Sequence, residues 1–359
     1  MAKEPWRTES GILSNEAPAS QQPGEISDAA RDDILERARA ITSAFPDAQV
    51  LVIGDVMIDK FIAGRVTRLS PEAPVPVVAF DHETHRIGGA ANVAHNIASL
   101  GGRATLVAVT GQDDGAATLA RACHEAGIAP SFVNDPTRPT TTKVRIITER
   151  KHQVARIDYE SETDVAGDVE DRVILALQQF AAHASAIVIS DYLKGSITRR
   201  IAQAAIAAAG VRGVPVLVDP KIPHLDYYAG ADLVTPNHHE AEVATHLRIR
   251  SDDDARTAAH LFRERARCKA VLMTRGDQGM WLLGADGGVD ADGALPSVAR
   301  EVADVTGAGD TVIATMALAL ACGATLTEAA RLANEAAGIS VSKFGPAVLT
   351  ESELLASFR

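Results

Sequence analysis

The run Asp304-Val305-Thr306-Gly307-Ala308-Gly309-Asp310 has the residue types and spacing of a reactive turn, and an apolar helical stretch, Thr311 to Ala321, follows it at once. Two glycines let the backbone approach a ligand closely. The unpaired N–H groups at the helix start, with the positive end of its dipole, make an anion site of Gly307, Ala308 and Gly309. A carboxylate in that turn is stabilised in its charged form, so Asp310 can accept a hydroxyl proton beside a phosphoryl group under attack. A first-turn acid of a buried helix is the competing reading, since the dipole favours it in any case.

Further polar residues fall at other element ends. Gly88-Gly89-Ala90-Ala91-Asn92 opens a helix, and Asn92 can reach a hydroxyl from its first turn, although tight packing through small residues explains the same sequence. Asn237 and Glu240, three apart at a helix start, offer an amide and a carboxylate. Glu240 can organise magnesium through water, because this ion keeps much of its hydration shell; a helix cap with a first-turn acid is the alternative. His238 and His239 lack a His-Glu-x-x-His partner and read as surface residues. Asp191 and Lys194 leave a strand together, and Lys194 can neutralise a phosphate. Arg68, Arg86, Arg138, Lys143 and Arg145 lie in or beside a presumed small sheet, a cluster suited to a phosphorylated ligand, although solvation is the default for each. A Gly-x-x-x-x-Gly-Lys-Ser/Thr loop and a Gly-x-Gly-x-x-Gly after the first strand are both missing, which excludes the ordinary P-loop and weakens a dinucleotide reading.

Short Val-, Ile- and Leu-rich runs alternate with Ala-rich segments, the pattern of a mostly parallel sheet with helices on both faces. Buried strands are expected over Gln49–Met57, Ala104–Thr110, Ala186–Ser190, Val214–Asp219, Asp232–Thr235 and Lys269–Thr274. Helices are expected over Gly89–Ser99, Asp114–Ala126, Val169–Ala184, Thr198–Ala209, Asp252–Arg267, Gly309–Ala321 and Leu326–Ser342. Pro74–Phe80, and a hairpin of Thr142–Thr148 with Val154–Asp158 around Glu149 to His152, break the alternation and form a small sheet. Polar residues gather at the strands' carboxyl ends, where open α/β sheets bind ligands.

The 359 residues are 46% hydrophobic and 23% charged, as in an ordinary globular chain. A net charge of -12 and the lack of any Lys/Arg stripe argue against a nucleic-acid footprint. The polar start, residues 1–27, reads as a flexible extension, and three widely spaced cysteines fit a reducing cytoplasm. No run reaches the length of a spanning helix.

Gly88-Gly89-Ala90-Ala91-Asn92-Val93-Ala94 and Asp304 to Asp310 together resemble the two signatures of the ribokinase-like (phosphofructokinase B type) carbohydrate kinases, over about residues 47–359. A closer likeness is to the kinase domain of D-glycero-β-D-manno-heptose-7-phosphate kinases. It is carried by Gly54 to Asp59, Arg68 to Val78, Ser190-Asp191-Tyr192, Asp219-Pro220-Lys221 and Thr235-Pro236-Asn237.

The resemblance implies a three-layer α/β/α domain over 28–359 with a small β lid from about 60–86 and 139–160. It implies transfer of phosphate from ATP to O1 of the heptose 7-phosphate, with no nucleic-acid or membrane partner, in a lid-mediated homodimer. By the same likeness Asp310 is the base and Gly307, Ala308 and Gly309 its anion hole. Asp59, Gly88, Gly89 and Asn92 then bind sugar, with Arg68, Arg145, Asp191 and Lys194 as further substrate candidates. Asn237 and Glu240 serve phosphate and Mg2+, and Thr274, Gly276 and Asn334 lie near adenine and ribose. Asp304 and Thr306, with carbonyls around Lys343 to Gly345, lie where relatives hold a monovalent cation such as K+. The sequence has no His-x-Gly-His, so adenylyl transfer is expected elsewhere. A kinase for another sugar, and a nonenzymatic sugar or nucleotide sensor, are the alternatives.

Overall fold

A computed structural model describes residues 28–150, 152–285, 292–299, 301–343 and 345–358. The expected tail 1–27, Lys151 of the hairpin turn and Phe344 of the carbonyl group lie outside the described residues.

The chain runs α1 (Asp28–Thr42), β1 (Gln49–Gly54), β2 (Val56–Leu69), β3 (Pro76–Gly89), α2 (Ala90–Ser99), β4 (Arg103–Thr110), α3 (Asp114–Glu125) and β5 (Ala129–Asn134). It continues through β6 (Thr142–Thr148), β7 (Gln153–Tyr159), α4 (Asp168–Ala181), β8 (Ala186–Ser190), α5 (Arg199–Arg212), β9 (Val216–Asp219) and β10 (Leu233–Val234). The last part is α6 (His238–Thr245), α7 (Asp252–Ala266), β11 (Ala270–Thr274), β12 (Met280–Leu283), β13 (Asp292–Leu295), α8 (Ala308–Ala321), α9 (Leu326–Val341) and α10 (Glu351–Ser357).

Among the described residues the main sheet has nine strands in the order β13-β12-β11-β10-β9-β8-β1-β4-β5, parallel except for the β11-β12-β13 edge. Alternate side chains of each central strand enter opposite layers, as a strand's period of two requires. Val50 and Val52 pack with α2, α8 and α9, whereas Leu51 and Ile53 pack with α4, α5 and α7. The chain moves outward from β1 to β4 and β5, then returns to β8 on the other side of β1. Strand order therefore reverses between β1 and β8. A crevice opens at such a point because the connections leave toward opposite faces.

A second sheet, β3-β2-β6-β7, forms the lid. The expected strand Gln49–Met57 is divided at Asp55: β1 ends in the main sheet, and after one residue β2 starts in the lid. The expected Pro74–Phe80 strand is part of a longer one. β3 continues through Asp81 to Arg86, which are exposed, and so lacks an apolar signal there. β3 then passes into α2 without a loop. Helices α1 and α10 and strands β5, β12 and β13 are not among the expected elements, whereas α6 begins at the helix start read from Asn237 and Glu240.

Candidate active site

Asp310 sits in the first turn of α8 and is only 5% exposed. Asn92 Nδ2 donates to its Oδ2 and Tyr192 Oη to its Oδ1, each at 2.7 Å. Burial pushes its pKa up to about 6, while the donors Asn92 and Tyr192 and the Lys221 ammonium oppose that rise and Asp59 adds to it. A carboxylate poised there is ionised at neutral pH yet basic enough to take a proton. Gly307, the residue before the helix, has φ +81°, and a Cβ on it would stand 2.8 Å from Asn92 Nδ2. Glycine is therefore required both by backbone conformation and by contact with the base's own partner.

Asn92 reaches Asp310 because α2 starts where β3 ends. Gly89 has φ +60°, and its bare Cα lies against the Asp55 carbonyl, which also accepts the Ala90 N–H at 2.9 Å. Gly88 lies beside Asp59, which is ion-paired with Arg145 of β6. Arg86 and Arg145 both lie over the Phe61 ring, at 5.6 and 5.4 Å from its centroid. Asp59, Gly88, Gly89, Asn92, Arg145 and Asp310 thus meet at the lid's root.

Three other expected residues do not join them. Arg68 is exposed near the far end of β2, nine residues from Asp59 and so about 30 Å along the strand. Asp191 is fully buried and committed to other partners, accepting bonds from His224 Nδ1 and Tyr228 Oη at 2.7 Å and from the Leu193 N–H at 2.8 Å. Lys194 is paired with Glu160 and Glu162 at 2.9 and 3.0 Å. The sequence shows the charges of Asp191 and Lys194 but not these nearer partners. Arg138 and Lys143 are also committed, to Asp135 and to Glu160 with Asp158.

On the other side of the base, Asn237 and Glu240 form a reciprocal capping box at the start of α6. Lys221 Nζ donates to Glu240 Oε1 at 2.6 Å and lies 5.6 Å from the Tyr192 ring centroid, bridging the two halves of the site. Asp219, at the end of β9, is half-buried, and its carboxylate accepts no hydrogen bond from a described residue. Burial pushes its pKa up to about 8, opposed by Lys221 and reinforced by Asp310 and Glu240. Asp219 and Glu240 together have the free lone pairs to meet the water shell of a magnesium ion, although among the described residues no three potential ligands cluster into a metal cage.

Thr274 is bridged to Asn237 at the carboxyl end of β11, and its N–H donates to the Pro236 carbonyl at 3.0 Å. Gly276, with φ +60°, follows it in open space. Asn334 on α9 donates to the Pro296 carbonyl at 2.8 Å. Asp304 accepts from the Thr306 N–H and hydroxyl at 2.9 and 2.7 Å and from the Gly345 N–H at 2.9 Å, and these bonds hold its pKa below the usual range. Asp304 and Thr306 thus shape the turn that leads to Gly307.

Tyr192 and Lys221 have contacts that sequence reasoning missed. Each occurs in a segment that carries the heptose-kinase resemblance, but neither was separated there from its neighbours as a site residue.

Residues 47–353 match the pfkB family carbohydrate kinase profile. The chain is 46% identical over 329 residues to the bifunctional protein HldE of Caulobacter sp. strain K31, covering 90% of this chain and 65% of that protein's length. It is similar in fold to Arabidopsis thaliana ribokinase complexed with ribose and ATP, with TM-score 0.67 and 21% identity over 87% of this chain and 99% of that one. Escherichia coli phosphofructokinase-2 in complex with potassium gives TM-score 0.71 and 20% identity, over 87% and 98% of the two chains.

Proposed function

The chain belongs to the pfkB family of carbohydrate kinases, and from that premise we propose that it phosphorylates D-glycero-β-D-manno-heptose 7-phosphate at O1, with magnesium-ATP as donor. The observation that carries the kinase chemistry is the Asp310 carboxylate, buried at the start of α8 between two donors. Its pKa near 6 matches a base for an anomeric hydroxyl, which is more acidic than an ordinary alcohol. In this reading the sugar lies against Asp59, Gly88 and Asn92 under the lid. The N–H groups of Gly307, Gly309 and Asp310 face the charge that develops on the transferred group, whereas that of Ala308 donates to the Val305 carbonyl at 3.2 Å. Lid closure over the sugar excludes water, which would otherwise hydrolyse ATP.

Lys221, which donates to Glu240, is the cation we assign to nucleotide phosphate. Asp219, Glu240 and Asn237 would hold the water shell of a magnesium ion, which would supply charge neutralisation for the phosphates. Asp304, Thr306 and the turn at Gly345 are assigned to a monovalent cation. Arg145, ion-paired with Asp59, is the cation we assign to the sugar side, whereas the Arg86 guanidinium lies against Gly345 and near Asp304. The heptose assignment rests on the motifs from Arg68 to Val78 and Ser190 to Tyr192 and on likeness to the HldE protein.

We assign residues 28–359 to one kinase domain in the cytoplasm, in an early step toward ADP-heptose and lipopolysaccharide core. Among the described residues no helix is long and apolar enough to cross a membrane. Two copies pair through the lid, whose edge strands β3 and β7 carry the exposed Phe80, Ile157 and Tyr159.

Phosphorus NMR of products from ATP with heptose 7-phosphate and, separately, fructose 6-phosphate tests the assignment. A new anomeric phosphate only with the heptose is expected. Equal or better turnover of fructose 6-phosphate would replace it with a kinase for another sugar. No phosphoryl transfer to any sugar would favour a nonenzymatic sensor.

A further inference from the structure

The loop that follows β8 is held in an unusual shape for a purpose that the hydroxyl of Tyr192 explains. Asp55, buried between β1 and β2, accepts the backbone N–H groups of Tyr192, Lys194 and Ser196 at 2.8, 3.1 and 2.9 Å. Between these bonds Leu193 has φ +55°, in the left-handed region that costs a side chain about 1–2 kcal/mol. Strain of this kind persists where surrounding contacts over-determine it, and it gathers at functional sites. The side chain that the strained loop presents is Tyr192, whose hydroxyl donates to Asp310 Oδ1.

We infer that Tyr192 is a positioning residue for the base: its hydroxyl fixes the orientation of the Asp310 carboxylate and favours its charged form, while Asp55 holds the phenol in place through the backbone. The inference rests on Asp310 being the base. Asn92 secures only Oδ2, so without Tyr192 the other oxygen has no side-chain donor among the described residues. A carboxylate offers about four lone-pair sites, and two donors leave room for an incoming hydroxyl. The phenol remains a donor throughout the working range, because burial and then the carboxylates of Asp310 and Asp219 push its pKa well above the usual value.

The charged groups facing this pair come from several elements. Lys221, following β9, lies near the Tyr192 ring and favours the charged Asp310; Asp59 of β2 opposes it. Asp219 of β9 couples to both members of the pair, and Glu240 of α6 to Tyr192. Each of these remains when only the Tyr192 oxygen is removed.

The test is the pH dependence of kcat/KM for the wild type, Tyr192→Phe and Asp310→Asn. Each is assayed with magnesium-ATP and whichever of heptose 7-phosphate and fructose 6-phosphate the wild type turns over. For Tyr192→Phe the acid limb should move upward by about one to two pH units, the shift given by losing one hydrogen bond to a charged group. The rate should recover to near the wild-type plateau in alkali, with KM for ATP unchanged. A limb that coincides with wild type, or a loss that is uniform across pH, would overturn the inference. If Tyr192→Phe does not fold, Asp55→Asn is measured instead. It should give a smaller upward displacement of the limb, and an unmoved limb counts against the inference in the same way. Asp310→Asn tests the premise separately: turnover retained in that variant would remove the base itself, whatever Tyr192→Phe shows.

Discussion

Replacing Asp310 by Asn should raise stability and abolish most turnover in the same molecule. The folded-state pKa of about 6 lies above the ordinary aspartate value of 3.8. At ~1.4 kcal/mol per pH unit, the difference corresponds to ~3 kcal/mol. Between these two values the folded chain holds a proton that the unfolded chain has lost, so stability falls as pH rises through this window. The contribution is complete below 3.8 and gone once pH has passed 6. Above pH 6 the native protein therefore carries a buried charge at a cost of ~3 kcal/mol.

Asn is nearly isosteric and uncharged. It keeps one acceptor oxygen for Asn92, and its amide can donate to the Tyr192 hydroxyl, which also accepts. Urea unfolding at pH 7.5 should find Asp310→Asn more stable by ~2–3 kcal/mol, and the gap should narrow to ~1 kcal/mol by pH 4.5. The Asp310 charge is one of the causes that raise Asp219, so Asp219 titrates differently in the two proteins near its pKa of about 8, and the narrowing of the gap at lower pH is the part that isolates Asp310. Turnover should fall at least ~100-fold while ATP binding persists. Equal stability at pH 7.5, or a gap that does not change with pH, would refute the argument that burial sets the base strength of Asp310. Near-normal turnover would refute its role.

Gly307→Ala should cost about 1–2 kcal/mol from the left-handed backbone alone. Because the new Cβ would also press on Asn92 Nδ2, kcat should fall with it, measured by steady-state kinetics beside a thermal melt. At the lid, Phe80 is 66% exposed on β3, so Phe80→Lys should shift the protein toward monomer in sedimentation velocity while leaving the thermal midpoint within a few degrees. A wild type that sediments as a monomer at micromolar concentration would remove the dimer.

The central strands were legible because they are buried on both faces. Ala186–Ser190 was expected with its observed bounds, and Lys269–Thr274 to within one residue. The division at Asp55 was not, since apolar residues flank it on both sides, Leu51 to Ile53 and Val56 to Ile58, and local pattern cannot show that the chain changes sheets. The lid hairpin Thr142–Thr148 was legible through its β-branched residues. The polar length of β3 was not, because side chains exposed on both faces leave no alternation. At the site, Asn92 and Asp310 could be read separately as members of helix starts, but their bond spans 218 residues. Asp191 was misleading for a related reason: its charge is evident in sequence, whereas His224 and Tyr228, which claim it, are brought in by a turn of 3-10 helix further along the chain.

The β2–β3 half of the lid joins the main body without slack, since Asp55 alone separates β1 from β2 and Gly89 passes straight into α2, while β6 and β7 are reached through longer connections. Mechanically this is a cantilever built into its wall, not a door on a loop. Bending at one root loads Asp55, which grips the Tyr192 loop; bending at the other loads the first turn of α2, which carries Asn92. The two donors on the base are thus fastened to the two ends of the same beam. A force applied at the lid's tip is geared to the carboxylate that must move the proton.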